Sequence, residues 1–378
     1  MDITKLNYRL LVLSLLLITC FLFSCNGNKR GGGIKVKTIK WSDQKSFEIK
    51  DIIKGITYIK LEDNAESALS GIDKLIIKNE RIYILDQMTS RNQKSLLVFD
   101  MNGRFLHRVG RQGRGPGEYP MYINFDVNDK GEVLIYDISN RNIMIYDANG
   151  KYIKSIESSF GIHDFTILDG KYMLALNIPG DQSEQDKVVL TSDFVEQERA
   201  YFKYDKEFLG NRSSLRNFQP YGDKIAYMYP VSDTLYLFNK KGVPEYAYFF
   251  DFGNQKLPEE LKNDAFKVVS EEKIYTYINE IPVCIKDYIF AVMTMNDKRC
   301  IAVYDITNNR STYEIVSPEN YSIYNVNFPL YAISDSHIVS YLDGDIFYLV
   351  KDFSINQELD AHLSNGGIVL CLYEIYKS

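Results

Sequence analysis

Three stretches of this chain carry side chains whose types and spacing could do chemistry. In Gly110-Arg-Gln-Gly-Arg-Gly-Pro-Gly-Glu-Tyr-Pro120, Arg111 and Arg114 bring two guanidinium forks into one loop. Gly113, Gly115 and Gly117 permit positive φ there, and Pro116 stiffens the turn. Exposed amide N–H groups beside such forks can hold a carboxylate or a sulfate. Glu118 and Tyr119 follow, and in the competing reading they simply brace the turn. The second feature is an acid–base spacing repeated across two short loops, Asp86 to Arg91 and Asp137 to Arg141. The third is His163 in Gly161-Ile-His-Asp164, a candidate ligand or proton carrier if it faces a cavity, and otherwise a satisfied hydrogen-bonding residue.

Other chemistries are excluded. The Asp-x-Asn-Gly segments at Asp100 and Asp147 lack the remaining acidic positions and the distal Glu of a calcium loop, so they read as turns. No G-x-S-x-G elbow, H-E-x-x-H pair or phosphate loop is present. Four His in 378 residues leave little material for a His-rich metal site, and no cofactor is expected. With Lys+Arg 44 against Asp+Glu 50 the net charge is −6, which argues against a nucleic-acid partner, because such proteins carry a basic footprint. The 29 Tyr could offer stacking platforms for sugars, but Tyr is also a favoured strand residue.

The elements that must position these residues form a repeat. Ser95-Leu-Leu-Val-Phe-Asp-Met-Asn-Gly-Arg-Phe-Leu-His107 aligns with Asn142-Ile-Met-Ile-Tyr-Asp-Ala-Asn-Gly-Lys-Tyr-Ile-Lys154. Each reads as a strand, a tight turn and a second strand. Weaker copies fall at 188–202, 234–249 and 300–315, with a further one at 345–353. The residues closing the first strand of each are Asp100, Asp147, Ser192, Asn239, Asp305 and Lys351, at intervals of 47, 45, 47, 66 and 46. A second, apolar strand precedes each hairpin, as in Arg81-Ile-Tyr-Ile-Leu-Asp86 and Glu132-Val-Leu-Ile-Tyr-Asp137. With an inner strand before that, each unit is a four-stranded antiparallel meander. Six of them make an all-β, six-bladed β-propeller. The long 66-residue interval holds Leu257-Pro-Glu-Glu-Leu-Lys-Asn-Asp-Ala-Phe266, which predicts a short helical insertion between blades four and five. Closure is expected from residues 56–61 as the outer strand of blade six. Their neighbour is expected to be 367–375 rather than 345–350, with 354–363 helical between the two.

The run from Arg108 to Tyr119, followed by Glu132–Asp137, Asn140-Arg-Asn-Ile-Met-Ile-Tyr-Asp147 and Asn149-Gly150, resembles the NHL-repeat pattern. It is more similar still to six-bladed, NHL-like propeller lipoproteins of Bacteroidetes type, whose opening strand is matched by Ile56-Thr-Tyr-Ile-Lys-Leu-Glu62. The resemblance implies the propeller fold. It also implies that Asp86 and Asp137 cap their turns by accepting backbone N–H bonds, with the following Arg pairing to them.

The N-terminus reads as an address. Lys5 and Arg9 precede an uncharged 14-residue run, Leu10 to Phe23, too short to span a bilayer comfortably and right for a secretory signal. Leu22-Phe23-Ser24-Cys25 resembles a bacterial lipobox, which implies cleavage of residues 1–24 and lipidation of Cys25. Loss of Lys5, Arg9 and Asp2 leaves a mature charge of −7. Residues 25–45 would be the lipidated Cys and a tether, and 46–378 one propeller domain. Multiple acyl chains would hold the protein on a lipid bilayer. That places it in the cell envelope at the outer membrane, on the periplasmic face or the cell surface. Lys29 and Arg30 stand where some such lipoproteins carry an acidic export signal. Cys284, Cys300 and Cys371 are too few and too widely spaced for a disulfide framework.

Two functions follow. One is a non-enzymatic binding or scaffold propeller that engages a glycan, a peptide or an envelope protein through its loop face, with Arg111, Arg114, Glu118, Tyr119, Arg141 and His163 as candidate contacts. The other, from the likeness to lactonase and lyase propellers, is a metal-dependent enzyme with its site at the channel mouth. His163, Asp164 and Asn325 are the polar exceptions in otherwise apolar inner-strand segments, which favours binding.

Overall fold

The computed structural model describes residues 33–40, 45–87, 95–120, 123–176, 186–204, 216–229, 231–262, 275–326, 331–332, 336–350 and 353–376. Residues 35–378 form one compact unit. The signal-like run, Cys25, most of the tether, Arg91 and Lys351 lie outside the described residues.

Six antiparallel sheets, each counted a to d from the innermost strand outward, surround a common axis. Blade one is Lys74–Lys78, Arg81–Asp86, Ser95–Asp100 and Phe105–Arg108. Blade two is Ile123–Val127, Val133–Asp137, Asn142–Tyr146 and Tyr152–Glu157. Blade three is Asp164–Ile167, Tyr172–Ala175, Asp186–Thr191 and Arg199–Lys203. Blade four is Phe218–Tyr221, Lys224–Tyr227, Thr234–Asn239 and Pro244–Asp251. In blade five Thr276–Ile278 and Val283–Ile285 together form the innermost strand, followed by Tyr288–Met295, Lys298–Asp305 and Arg310–Ile315. Blade six takes Tyr331–Ala332, His337–Leu342 and Val369–Ile375 from the C-terminal part of the chain, and Ile53–Lys60 as its outer strand. Closure therefore joins the expected two segments, with the N-terminal strand starting three residues earlier than its apolar pattern suggests.

The apolar runs of the middle strands follow from this geometry. Successive side chains of a strand point to opposite faces, and in a propeller both faces meet a neighbouring blade. Val133 and Ile135 pack with Tyr83, Leu85 and Val98 of blade one. Leu134 and Tyr136, between them, pack with Phe165 and Leu174 of blade three. The core is accordingly a set of layers, one between each pair of neighbours. Cys284, Cys300 and Cys371 are buried in these layers as free thiols. Burial pushes Cys300 and Cys371 up to about 12.

Two expectations need correction. Residues 345–353 are not a hairpin, because Gly344–Leu349 is a helix, α2, the second in the chain after Glu259–Lys262, α1. Asp343 caps it by accepting the Ile346 N–H at 2.9 Å, and Ile346 and Phe347 turn inward onto the core between blades five and six. Gln357–Ser364 is helix α3, so blade six carries a helical connection between strands b and c. Residues 35–40 are also more than tether. Lys35–Lys40 adds a fifth strand, parallel to the outer strand of blade four. Residues 46 and 47 lie against blade five, where the Ser46 N–H donates to the Ser311 carbonyl at 3.2 Å and Arg310 lies 4.9 Å over the Phe47 ring. Ile49 and Ile52 of a short 3-10 helix then enter the blade five–six core.

Candidate functional site

The a-to-b and c-to-d turns lie on one face of the propeller, called here the turn face. The b-to-c and d-to-a connections lie on the other, the groove face, which carries the glycine-rich loop, α1, α2 and α3.

The loop is a folded unit. Arg111 and Gln112 pair in parallel with Glu118 and Tyr119, pinching its ends together. Glu118 caps the interior by accepting the Gly115 N–H at 2.8 Å and Arg111 Nε at 2.6 Å. These bonds, the amide first, hold its carboxyl below the usual range. The glycines at 113 and 117 are there for space: a Cβ on Gly113 would stand 2.0 Å from Glu118 Oε2, and one on Gly117, at φ +72, 2.7 Å from Tyr152. Tyr119 is fully buried, its hydroxyl donating to the Val109 carbonyl at 3.3 Å, and burial pushes it up to about 12. Glu118 and Tyr119 are thus bracing residues, and Arg111 spends its Nε on Glu118.

Between this loop and blade two lies a groove of about 890 Å³. Its walls include Arg114 and Gln112 on the loop side and Ser139, Asn140, Asn142 and Tyr152 on the blade side. The far wall is set by Asp137, whose carboxylate accepts the Ser139 N–H at 2.9 Å and Asn140 Nδ2 at 2.6 Å. The expected capping role of Asp137 holds. The expected Arg141 pairing does not: that side chain is exposed, at φ +53, and makes no ion pair among the described residues. An acid–base pair of similar spacing forms in a different place, the c-to-d turn of blade five on the turn face, between Asp305 and Arg310 Nε at 2.9 Å. Asp86 accepts the Ser70 N–H, from the connection that enters blade one, at 2.6 Å; the turn toward Arg91 that it is expected to cap lies outside the described residues.

His163 belongs elsewhere, at the groove-face end of the axis, where the strand starts of several blades meet in a polar ring. Lys74 Nζ of blade one donates to Asn124 Oδ1 of blade two at 2.7 Å and pairs with Asp164 Oδ1 of blade three at 2.9 Å. Asn124 Nδ2 donates to the His163 carbonyl at 2.8 Å. Asp164 Oδ2 accepts the N–H groups of Asn217 and Phe218, at the start of blade four, at 2.6 and 3.1 Å. Arg216 pairs with Glu280 of blade five and lies 4.7 Å over the ring of Tyr331 of blade six. The Tyr331 hydroxyl accepts the Leu75 N–H at 3.1 Å, which returns the ring to blade one. Sequence reasoning singled out His163 and Asp164 here but missed Lys74, Asn124, Arg216, Glu280 and Tyr331. A signal existed: blades one to four each place a polar residue at or next to the start of an innermost strand. Asn325, by contrast, is not axial, since its side chain accepts the Ser322 N–H and donates to Glu314 and the Asn320 carbonyl. No three His, Cys, Asp or Glu among the described residues converge as a metal-binding group.

The predicted insertion is helix α1, Glu259–Lys262, and it docks on blade four. Leu257 and Leu261 bury against Val231, and Lys256 and Lys262 both pair with the buried Asp233.

These features define a six-bladed β-propeller with an ionic ring at its axis and a polar groove at one blade boundary. The chain belongs to the family described as domain of unknown function DUF4934, whose model matches residues 34–365. Two solved structures show the same architecture. One is a protein of Bacteroides fragilis NCTC 9343 predicted to be exported, 18% identical with a TM-score of 0.72, covering 91% of this chain and 100% of its own. The other, a DUF4221-family member from Bacteroides vulgatus ATCC 8482, is 10% identical with a TM-score of 0.54, over 86% and 98%. At these identities the likeness is one of fold. No curated protein matches the sequence.

Proposed function

We propose that the protein is an exported, non-enzymatic binding propeller, held on a lipid bilayer through Cys25, and that it binds a glycan in the groove beside the glycine-rich loop. The groove carries this reading. Its walls present amides, a hydroxyl, a guanidinium and a tyrosine ring, a mixture suited to hydroxyl-rich ligands and poorly suited to a lipid tail. The bracing of the loop by Glu118 and Tyr119 favours binding as well, since a site fixed before the ligand arrives costs less ordering entropy. The likeness in fold to a Bacteroides protein predicted to be exported, together with the lipobox at Leu22–Cys25, supports the address.

The test is a panel of acidic glycans, neutral glycans and peptides, applied to the wild-type chain and to the Arg111→Ala, Arg114→Ala double variant. Acidic or neutral glycan binding that falls in the variant at an unchanged melting temperature supports the site. Binding of peptides alone, or of glycans with no loss in the variant, refutes it.

A further inference from the structure

Polar side chains on the innermost strands tie each blade to the next. Lys78 Nζ of blade one donates to the Val127 carbonyl of blade two at 2.9 Å, and Asp126 Oδ2 accepts the Ile167 N–H of blade three at 2.8 Å. From blade four, Arg216 pairs with Glu280, and the Tyr221 hydroxyl donates to the Lys286 carbonyl of blade five at 2.9 Å. Gln219 stands between those last two contacts and breaks the pattern. It is only 1% exposed, yet neither its Nε2 nor its Oε1 has a hydrogen-bond partner among the described residues.

The register gives the direction of this side chain. Phe218 packs with Met173 and Val188 of blade three, so Gln219, the next residue along the strand, points the other way. It pairs directly with Ala226, and partners across a ladder share a face. Ala226 packs with Ile281, Cys284 and Ile289 of blade five. The amide therefore enters the layer between blades four and five and faces the segment from Glu280 to Lys286. There the innermost strand of blade five is interrupted. Thr276–Ile278 pairs with 293–295 and Val283–Ile285 with 288–290, so residues 279–282 lie outside both ladders. Pro282, in the break, has no N–H to offer.

We propose that this break is a binding site for water, and that at least one ordered molecule bridges the Gln219 amide to backbone groups of residues 280–286. A buried amide without partners gives up its hydration for nothing, and folded proteins rarely leave both atoms of one unpaired. The occupant must donate to Oε1 and accept from Nε2 in an enclosed, otherwise apolar layer. Water does both. A cation would meet one acceptor beside an opposing N–H, and a sugar or peptide is too large for so enclosed a position. Buried waters make about three hydrogen bonds each. Gln219 supplies up to two of them, and the break supplies backbone groups that no ladder strand engages. Blades four and five are then joined through water at a point where blades one to three are joined directly.

The experiment has two arms. The first is a crystal structure of the full chain at a resolution that shows ordered solvent. A water within about 3.2 Å of the Gln219 amide and of a backbone N or O in residues 280–286 supports the site. A Gln219 amide bonded directly to protein, or packed against apolar atoms with no solvent between, overturns it. The second arm measures the melting temperature of Gln219→Met, which keeps the length of the side chain and removes both polar atoms. If the wild-type amide is dry, the substitution relieves a buried unpaired group and the melting temperature rises, which overturns the proposal. If the amide holds water, the substitution strands that water or displaces it without gain, and a level or lower melting temperature supports the proposal. A variant that fails to fold leaves the first arm to decide.

Discussion

Lys74 and Asp164 meet at 2.9 Å with side chains 7% and 1% exposed, so neither charge can turn to water when the other is removed. Breaking a buried pair by removing one partner typically costs about 3–5 kcal/mol. Lys74→Met should therefore destabilise the propeller by about that amount in a denaturant titration, and a loss below about 1 kcal/mol, the scale of exposed pairs, would show that the ring does not join the blades. His107 makes a prediction about pH. Its Nε2 is buried without a hydrogen-bond partner among the described residues, and burial, aided by Arg81, lowers its pKa below the ordinary 6.5. The folded state favours the neutral ring, so below pH 6.5 the unfolded chain binds more protons and stability falls with pH. Above that pH the contribution is complete. Melting temperatures measured from pH 7.5 down to 5 should fall more steeply for the wild type than for His107→Gln; parallel curves would remove His107 from the explanation.

The two N-terminal strands differ in what they complete. Ile53–Lys60 is the fourth strand of blade six and pairs along Val369–Ile375. Lys35–Lys40 is a fifth strand on a blade that already has four. Deleting 53–60 exposes a long edge and opens the ring, so the whole domain should lose its cooperative melting transition. Deleting 25–40 should lower the transition only modestly. Equal effects of the two deletions would contradict the closure. How legible each element is in the sequence depends on how local its determinants are. The Asp-x-Asn-Gly turns are readable because one carboxylate does the work: Asp147 accepts the N–H groups of Asn149 and Lys151, each at 2.9 Å, and Gly150 takes φ +78. Asn239 does the same for Lys241 and Val243, which is why a weaker copy still marks blade four. Blade six misled because 345–353 keeps the spacing of a hairpin while Asp343 commits it to a helix. The glycine-rich loop was legible as a candidate site, but its groove was not, since half its wall comes from blade two. The axial ring was least legible of all, because its contacts join residues such as Leu75 and Tyr331 that lie far apart in the chain.

For the molecule as a whole, the described structure is a closed six-bladed scaffold with a polar groove beside the glycine-rich loop, and the proposed function adds an N-terminal lipid that would hold a ligand near a membrane. Cys25→Ala should leave a protein that fractionates away from membranes or accumulates as precursor, and unchanged metabolic lipid labelling of that variant would remove the anchor. The central claim is that the groove binds the ligand. It is tested most directly by calorimetric titration of the tightest-binding glycan of the panel into the wild type, Arg114→Ala and His163→Ala. A hydrogen bond to a charged group contributes about 1.5–3 kcal/mol, so Arg114→Ala should weaken binding roughly 10- to 100-fold at an unchanged melting temperature, while His163→Ala, at the axis, leaves it intact. Undiminished affinity in Arg114→Ala together with a loss in His163→Ala would place the ligand at the channel mouth and contradict the account.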